Sequence, residues 1–256
     1  MIADQTHLHV HSLRLDNQVA VVTGAGQGLG RGCALALAAA GADLVLLGRH
    51  RETLEEVAHE AVRRGRQAQP IVCDITDPAQ VVQAFHALKR VDILVNNAGT
   101  NIPESFLGVT EEHFDHMFAL NVKGTFLVSQ QVVRRMVGQG GTIINISSQM
   151  GHVGAALRTV YCATKHAIEG LTRAMAVELG AYNIRVNAIA PTFLETPMTR
   201  SFFEDETFRQ FVLARIPLGR LGTIEDVTGL VVFLASPASA LITGASILVD
   251  GGWTAQ

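Results

Sequence analysis

Seven short runs constrain the fold most: "QVAVVTG" (18–24), "ADLVLLG" (42–48), "QPIVCD" (69–74), "VDILVNNAG" (91–99), "GTIINISS" (141–148), "NIRVNAIAP" (183–191) and "ASILVDGG" (245–252). Most lack polar–apolar alternation. A strand with one wet face would alternate, so these runs read as strands buried on both faces of a parallel sheet. Longer stretches of helical period lie between them, among them 28–40, 51–64, 110–138, 159–181 and 224–235. Strand–helix–strand repetition of this kind predicts a single α/β domain with a doubly wound sheet of about seven strands. A chain of 256 residues can bury the core this requires.

Composition excludes several classes. A net charge of −3 and scattered basic residues offer no concentrated positive field for nucleic acid. "RRGR" at 63–66 reads as a solvated helix end. The uncharged stretch from Val227 to Val249 is long enough for a bilayer, but Gly229, Pro237 and Gly244 break it into helix end, turn and strand. No membrane segment is therefore expected. Cys33, Cys73 and Cys162 fit neither a zinc nor a CxxC spacing and read as small buried hydrophobes of a reducing, cytoplasmic protein. Residues 1–16 lack the basic head and apolar run of a signal peptide and read as a flexible extension ahead of a domain at 17–256. Within that extension His7, His9 and His11 alternate, but no carboxylate or cysteine accompanies them, so no metal site is expected. Residues 192–220 are long for a connection and carry Phe193, Met198, Phe202 and Phe203, which predicts a lid over a site.

The first strand runs into "TGAGQGLG". Gly24, Gly28 and Gly30 allow a tight turn and close backbone approach, and with Gln27 and Leu29 they open a helix whose free N–H groups favour a pyrophosphate. The second strand ends with Gly48 where an NAD-binding carboxylate would stand, followed by Arg49. A guanidinium can fork onto a ribose 2′-phosphate, so NADP(H) is favoured, with NAD(H) possible.

Tyr161 and Lys165 stand one helical turn apart in "YCATK", in a chain with only two tyrosines and three lysines. An adjacent ammonium is expected to lower the phenol pKa from about 10 and make Tyr161 a usable acid and base. Ser148 ends the fifth strand at the carboxyl edge, where ligands bind in such sheets, and could polarise a carbonyl oxygen. Asn121 lies within a long helical stretch, where Asn marks a distortion or a polar contact.

From about Asn17 onward the chain resembles the short-chain dehydrogenase/reductase family. The resemblance rests on "TGAGQGLG", "NNAG" (96–99), Asn121, "ISS" with "YCATK", "NAIAP", "RLGTIEDV", "FLASPAS" and "ITGASILVDGG" in fixed order. It implies a Rossmann fold, a homotetramer, and direct hydride transfer between a nicotinamide and a carbonyl or alcohol carbon without a metal. It implies Tyr161 as general acid/base, Ser148 orienting the carbonyl, Lys165 holding the nicotinamide ribose and Asn121 anchoring a relay water. Asp74 and Ile75 would meet adenine, Asn97 the adenosine ribose, and Leu194 and Thr196 the carboxamide. Two positions depart from the family pattern: Thr192 stands where Gly is usual, and Gln27 where many NADP-dependent members carry a base. The implied tetramer faces are 110–138 with 159–181, and the last helix with the last strand.

Candidate substrate contacts are Asn101, Glu104, Gln149, Met150, His152 and Arg158, the last a possible carboxylate clamp. "DGGWTAQ", "NNAGTNIPES" and Arg158 look like the gluconate 5-dehydrogenase and deoxygluconate dehydrogenase branch, which suggests a small carbonyl or alcohol substrate of the sugar-acid or polyol type. Reduction of 3-oxoacyl groups on a carrier protein is the alternative. A non-catalytic nucleotide sensor or scaffold would be expected to lack part of the set Ser148, Tyr161, Lys165 and Asn121.

Overall fold

The computed structural model describes residues 11–196 and 199–256, the side chains of residues 201 and 202 excepted. His7, His9, Met198 and the Phe202 side chain lie outside this description. All seven predicted strands are present: β1 (Val19–Thr23), β2 (Asp43–Gly48), β3 (Ala68–Val72), β4 (Ile93–Asn96), β5 (Gly141–Ile146), β6 (Ile184–Pro191) and β7 (Ser246–Val249). They form one parallel sheet in the order β3-β2-β1-β4-β5-β6-β7. Pro70, which cannot donate to a ladder, sits in the edge strand β3.

The missing alternation has its predicted cause. In β1, Ala20 and Val22 join one apolar cluster while Val21 joins the other, so successive side chains enter cores on opposite faces. The first core is covered by α1 (Gly28–Ala40), α2 (Arg51–Arg63) and α8 (Ile224–Ala235), the second by α3 (Pro78–His86), α5 (Thr125–Met136) and α6 (Thr159–Leu179). Helix starts follow local chemistry. Asp77 accepts from Ala79 N and Gln80 N with Pro78 next to it, and Thr223 and Asp226 form a reciprocal cap on α8.

Two expectations need correction. Residues 110–138 are not one α-helix. They divide into α4 (Glu111–Phe118), a π-helical segment (Ala119–Gly124) and α5, and Asn121 lies within the π segment. The strand expected over 91–99 stops at Asn96, because Asn97 and Ala98 turn their N–H groups onto Thr23 Oγ1 instead of a neighbouring strand.

The segment after β6 carries α7 (Glu206–Leu213), capped by Asp205. Val212, Ile216 and Leu221 form a separate apolar cluster with Phe193, Phe203, Phe208 and Trp253. A bridge between Leu194 and Gly222 ties its two ends together. The three cysteines are free and buried, as their spacing suggested. Burial pushes the Cys33 thiol up to about 12 and the Cys73 thiol up to about 11, which suits packing and not thiolate chemistry. Among the described residues no helix is long and apolar enough to cross a membrane, and no group of residues could hold a metal ion.

Candidate active site

A cavity of about 350 Å³ opens along the carboxyl ends of the strands. It is lined at one end by the glycine turn and Arg49, and at the other by Ser148, Tyr161, Lys165 and Leu194. This is where an open α/β sheet places its ligands, because the strand order reverses between β1 and β4.

The glycine turn is shaped by need. Gly24 has φ +63°, and a Cβ on Gly30 would lie 2.1 Å from Gly24 O and 2.4 Å from Asn97 Nδ2. A Cβ on Gly28, at φ +52°, would meet nothing within 4 Å; it would project into open space beside the cavity. A turn packed tight behind and open in front fits a pyrophosphate laid against the start of α1. Asn97 Nδ2 donates to Thr23 O at 3.0 Å and Gly24 O at 3.3 Å, so its amide is committed to holding the turn. At the adenosine end Arg49 is exposed beside Asp74. Burial raises the Asp74 pKa, but donation by Thr76 N and Oγ1 and the charge of Arg49 outweigh it, leaving the carboxyl below its usual range. No carboxylate stands at the end of β2, and His50 and Thr53 complete that rim. The sequence reading stopped at Arg49 and missed these two; their polar character one and four residues after it was the available signal.

At the other end Tyr161 is hydrogen-bonded to Ser148, whose Oγ also accepts from Met150 N at 3.2 Å. Lys165 Nζ donates to Ile146 O at 2.8 Å and lies 5.5 Å from the centre of the Tyr161 ring. The expected lowering of the tyrosine is not found. Burial pushes the Tyr161 phenol up to about 12, and the Ser148 hydrogen bond offsets only part of this. Burial likewise pushes the Lys165 ammonium down to about 8, with Glu169 pulling it back up. Desolvation penalises each charged form and outweighs the interactions that favour it, the Ser148 hydrogen bond and Arg158 for the phenol and Glu169 for the ammonium.

Asn121 does not line the cavity; it braces it from below. Its Oδ1 accepts from Thr100 N at 2.8 Å, and its Nδ2 donates to Thr100 O at 2.9 Å and to Thr164 Oγ1 at 3.1 Å. The loop after β4 is thereby stapled to α6 one residue before Lys165. The π segment is what turns Asn121 inward, since Thr125 Oγ1 takes up its carbonyl at 2.9 Å.

Gln27, Leu29, Ile75, Asn101, Gln149 and Thr196 line the cavity with the residues above. Arg158 does not. It is buried outside the lining with Nη1 on Leu157 O, and its charge draws the Tyr161 pKa down. Glu104 is likewise outside, paired with His113 Nδ1 at 2.8 Å. Thr192, Phe193 and Thr199 from the following segment complete the wall, as does Met150.

A family described as "Enoyl-(Acyl carrier protein) reductase" matches residues 24–254. An L-xylulose reductase from Bos taurus is 41% identical over 245 residues, covering 95% of this chain and 99% of its own. A 2-dehydro-3-deoxy-D-gluconate 5-dehydrogenase from Dickeya dadantii is 40% identical over 255 residues, covering 96% of this chain and 99% of its own. A crystal structure of a gluconate 5-dehydrogenase from Burkholderia cenocepacia, in complex with NADP and tartrate, superposes with a TM-score of 0.93 at 34% identity, covering 96% of this chain and 99% of that one. The chain belongs to the short-chain dehydrogenase/reductase family. It is an oxidoreductase acting on CH–OH groups.

Proposed function

We propose that the protein interconverts a secondary alcohol and a ketone on a sugar acid or polyol, using NADP(H) in preference to NAD(H). The observation that carries this reading is the Ser148–Tyr161 hydrogen bond, with Lys165 beneath it, at one end of a cavity whose other end is a glycine cradle edged by Arg49. The names of the three proteins cited above support the substrate class, each being a sugar or sugar-acid enzyme, while a 3-oxoacyl-[acyl-carrier-protein] reductase from Thermotoga maritima at 39% identity supports the alternative of 3-oxoacyl reduction.

Gly24, Gln27, Gly28, Leu29 and Gly30 hold the pyrophosphate, Asp74 and Ile75 the adenine, and Leu194 and Thr196 the carboxamide end. Asn97 acts on the adenosine ribose indirectly, by fixing the turn. When bound, the nicotinamide supplies or accepts the hydride. Ser148 donates to the carbonyl oxygen and Tyr161 gives it a proton, or takes one from the alcohol in the reverse direction. A phenol as weakly acidic as that of Tyr161 stays protonated near neutrality, ready to donate. Lys165 contacts the ribose and stabilises the phenolate left behind. Asn121 keeps Thr100 and Thr164 in register so that these groups meet. Gln149 and Asn101 face the substrate, Arg158 biases the site towards anionic substrates, and residues 192–220 close over it.

Arg49 reads the cofactor phosphate in this scheme. Arg49→Asp should lower kcat/KM with NADPH by about 100-fold, the worth of a charge-assisted hydrogen bond, and leave NADH within a few-fold. Steady-state rates with both cofactors, on keto-sugar acids, ketopentoses and a 3-oxoacyl ester, test cofactor and substrate together. An unchanged NADPH/NADH ratio sinks the role of Arg49, and turnover of the acyl ester alone sinks the sugar reading.

Association into a homotetramer belongs to the same reading. Phe114 and Phe126 are exposed on α4 and α5, beside a shallow cavity that includes Phe118, Val122 and Leu171. Light scattering should give the mass of four chains, and a monomer would refute it.

A further inference from the structure

Of the aromatic cluster in the segment after β6, one ring reaches the cavity. Among the described residues Phe193 lines it, whereas Phe203, Phe208 and Trp253 do not. The sheet register explains where Phe193 stands. Ile146 pairs with Ile189, so Ser148 and Pro191 leave β5 and β6 level with each other, and Phe193 follows two residues later. It therefore walls the cavity on the side where Ser148 meets Tyr161. Three rings back it. Phe203 and Phe208 meet it edge-on with centroids 5.9 and 5.7 Å away, and Trp253 lies at 5.9 Å, tilted by 42°. Aromatic pairs at these spacings attract each other and prefer particular orientations, so this wall takes its position from the rings behind it.

Trp253 is the ring of this group that is fixed from outside the segment. Its N–H donates to Asp250 O at 3.2 Å, and the Asp250 carboxylate accepts from Gly252 N at 3.0 Å and Thr254 N at 2.8 Å. The turn so formed is pressed against the segment. A Cβ on Gly251, at φ +61°, would lie 2.5 Å from Ile216 Cγ2, and one on Gly252, at φ +93°, would lie 3.0 Å from Pro217 Cγ. Hydrogen bonds fasten it there. Leu218 N donates to Gly251 O at 3.1 Å and Gln256 Nε2 to Arg215 O at 3.2 Å, while Thr192 N, at the start of the segment, donates to Val249 O at 3.1 Å. Residues 249–256 thus hold the segment near both of its ends, and Trp253 extends that frame to Phe193.

We propose that Trp253 is a positioning residue that sets how far Phe193 stands into the cavity, and so the size of ketone that fits beside Ser148 and Tyr161. This rests on the reading of the cavity as a ketone-reducing site. Trp253→Ala should raise KM for the best keto-sugar substrate by about tenfold, with kcat within about threefold and the NADPH Kd within about twofold, because a displaced wall weakens ground-state and transition-state binding alike. Its kcat/KM for an aryl ketone, relative to the keto-sugar, should rise by about tenfold as the opened space admits a bulkier group. Trp253→Phe keeps a ring behind the wall and should bring KM back to within about threefold of the parent value. If Trp253→Ala does not fold, Trp253→Leu is held to the same limits.

Trp253 is the only tryptophan of the chain, so its contact with Phe193 can be read without turnover. In the cofactor-free protein, Phe193→Ala should move the emission to longer wavelength as water from the cavity reaches the indole. An unmoved spectrum, an unchanged KM and ketone ratio in the Trp253 variant, or a loss of kcat or NADPH affinity as large as the rise in KM would each overturn the proposal. If the parent protein reduces no ketone, the functional reading fails, while the emission comparison still decides whether Trp253 braces the wall.

Discussion

Tyr161→Phe lowers kcat for carbonyl reduction by about 10³-fold, the scale of a lost general acid, and leaves the NADPH Kd within about twofold. The two effects separate because the variant keeps the ring and loses only one oxygen. The phenol is hydrogen-bonded to Ser148, and among the described residues lining the cavity no group but the Ser148 hydroxyl combines a transferable proton with that position. Lys165 cannot replace it, since Nζ is turned to the Ile146 carbonyl and sits 5.5 Å from the ring centre. Pre-steady-state reduction with saturating NADPH, alongside a fluorescence titration, measures both quantities. A kcat within tenfold of the parent value would remove Tyr161 from the mechanism, and Ser148 would then have to be tested as the donor.

Lys165→Met gives the second large effect, and it has two parts. Loss of the charge that stabilises the phenolate costs about 10²-fold in kcat, comparable to the loss of one oxyanion-stabilising donor. The other part is a change in how stability depends on pH. Burial holds the Lys165 pKa at about 8 in the folded protein, against an ordinary lysine value of 10.5. Below about pH 8 both states carry the proton; between about 8 and 10.5 only the unfolded chain does. Stability therefore rises with pH across that window in the parent protein, and Lys165→Met lacks the rise. The Tyr161 phenol, raised to about 12, contributes only above pH 10 and does so in both proteins, so it cancels in the difference. Thermal melts at intervals from pH 7 to 10 should show the parent gaining Tm relative to the variant above pH 8. Parallel curves would mean that Lys165 titrates as an exposed lysine does.

The two predictions explain why a lysine, and not one of the seventeen arginines, stands at this position. An arginine stays charged at any attainable pH and needs several acceptors for its fork. The space beside Ile146 offers Nζ a backbone carbonyl, and a compact ammonium can use it while still reaching the cavity.

What the sequence determined by itself was local in origin. Buried strands announce themselves through runs such as "VAVVT" and "GTIINI", because a strand with a core on each face has no polar position to spend. The placing of Tyr161 and Lys165 on one face needed only the helical period, and the glycine cradle only the demand for positive φ and space at Gly24, Gly28 and Gly30. Asn121 carried a legible warning as well, since an amide inside an apolar helical run signals a distortion, and the π segment is that distortion. Tertiary structure alone decided the rest. The direction of the Tyr161 and Lys165 shifts depends on how much protein encloses them, which no spacing encodes. The commitment of Asn97 to the turn and the meeting of His152 with Glu169 join groups from different elements, and the burial of Arg158 outside the cleft lining depends on what the fold packs around it. Pattern follows from the backbone's own periods. Charge state and partnership follow from which surfaces the fold brings together and which it shuts off from water.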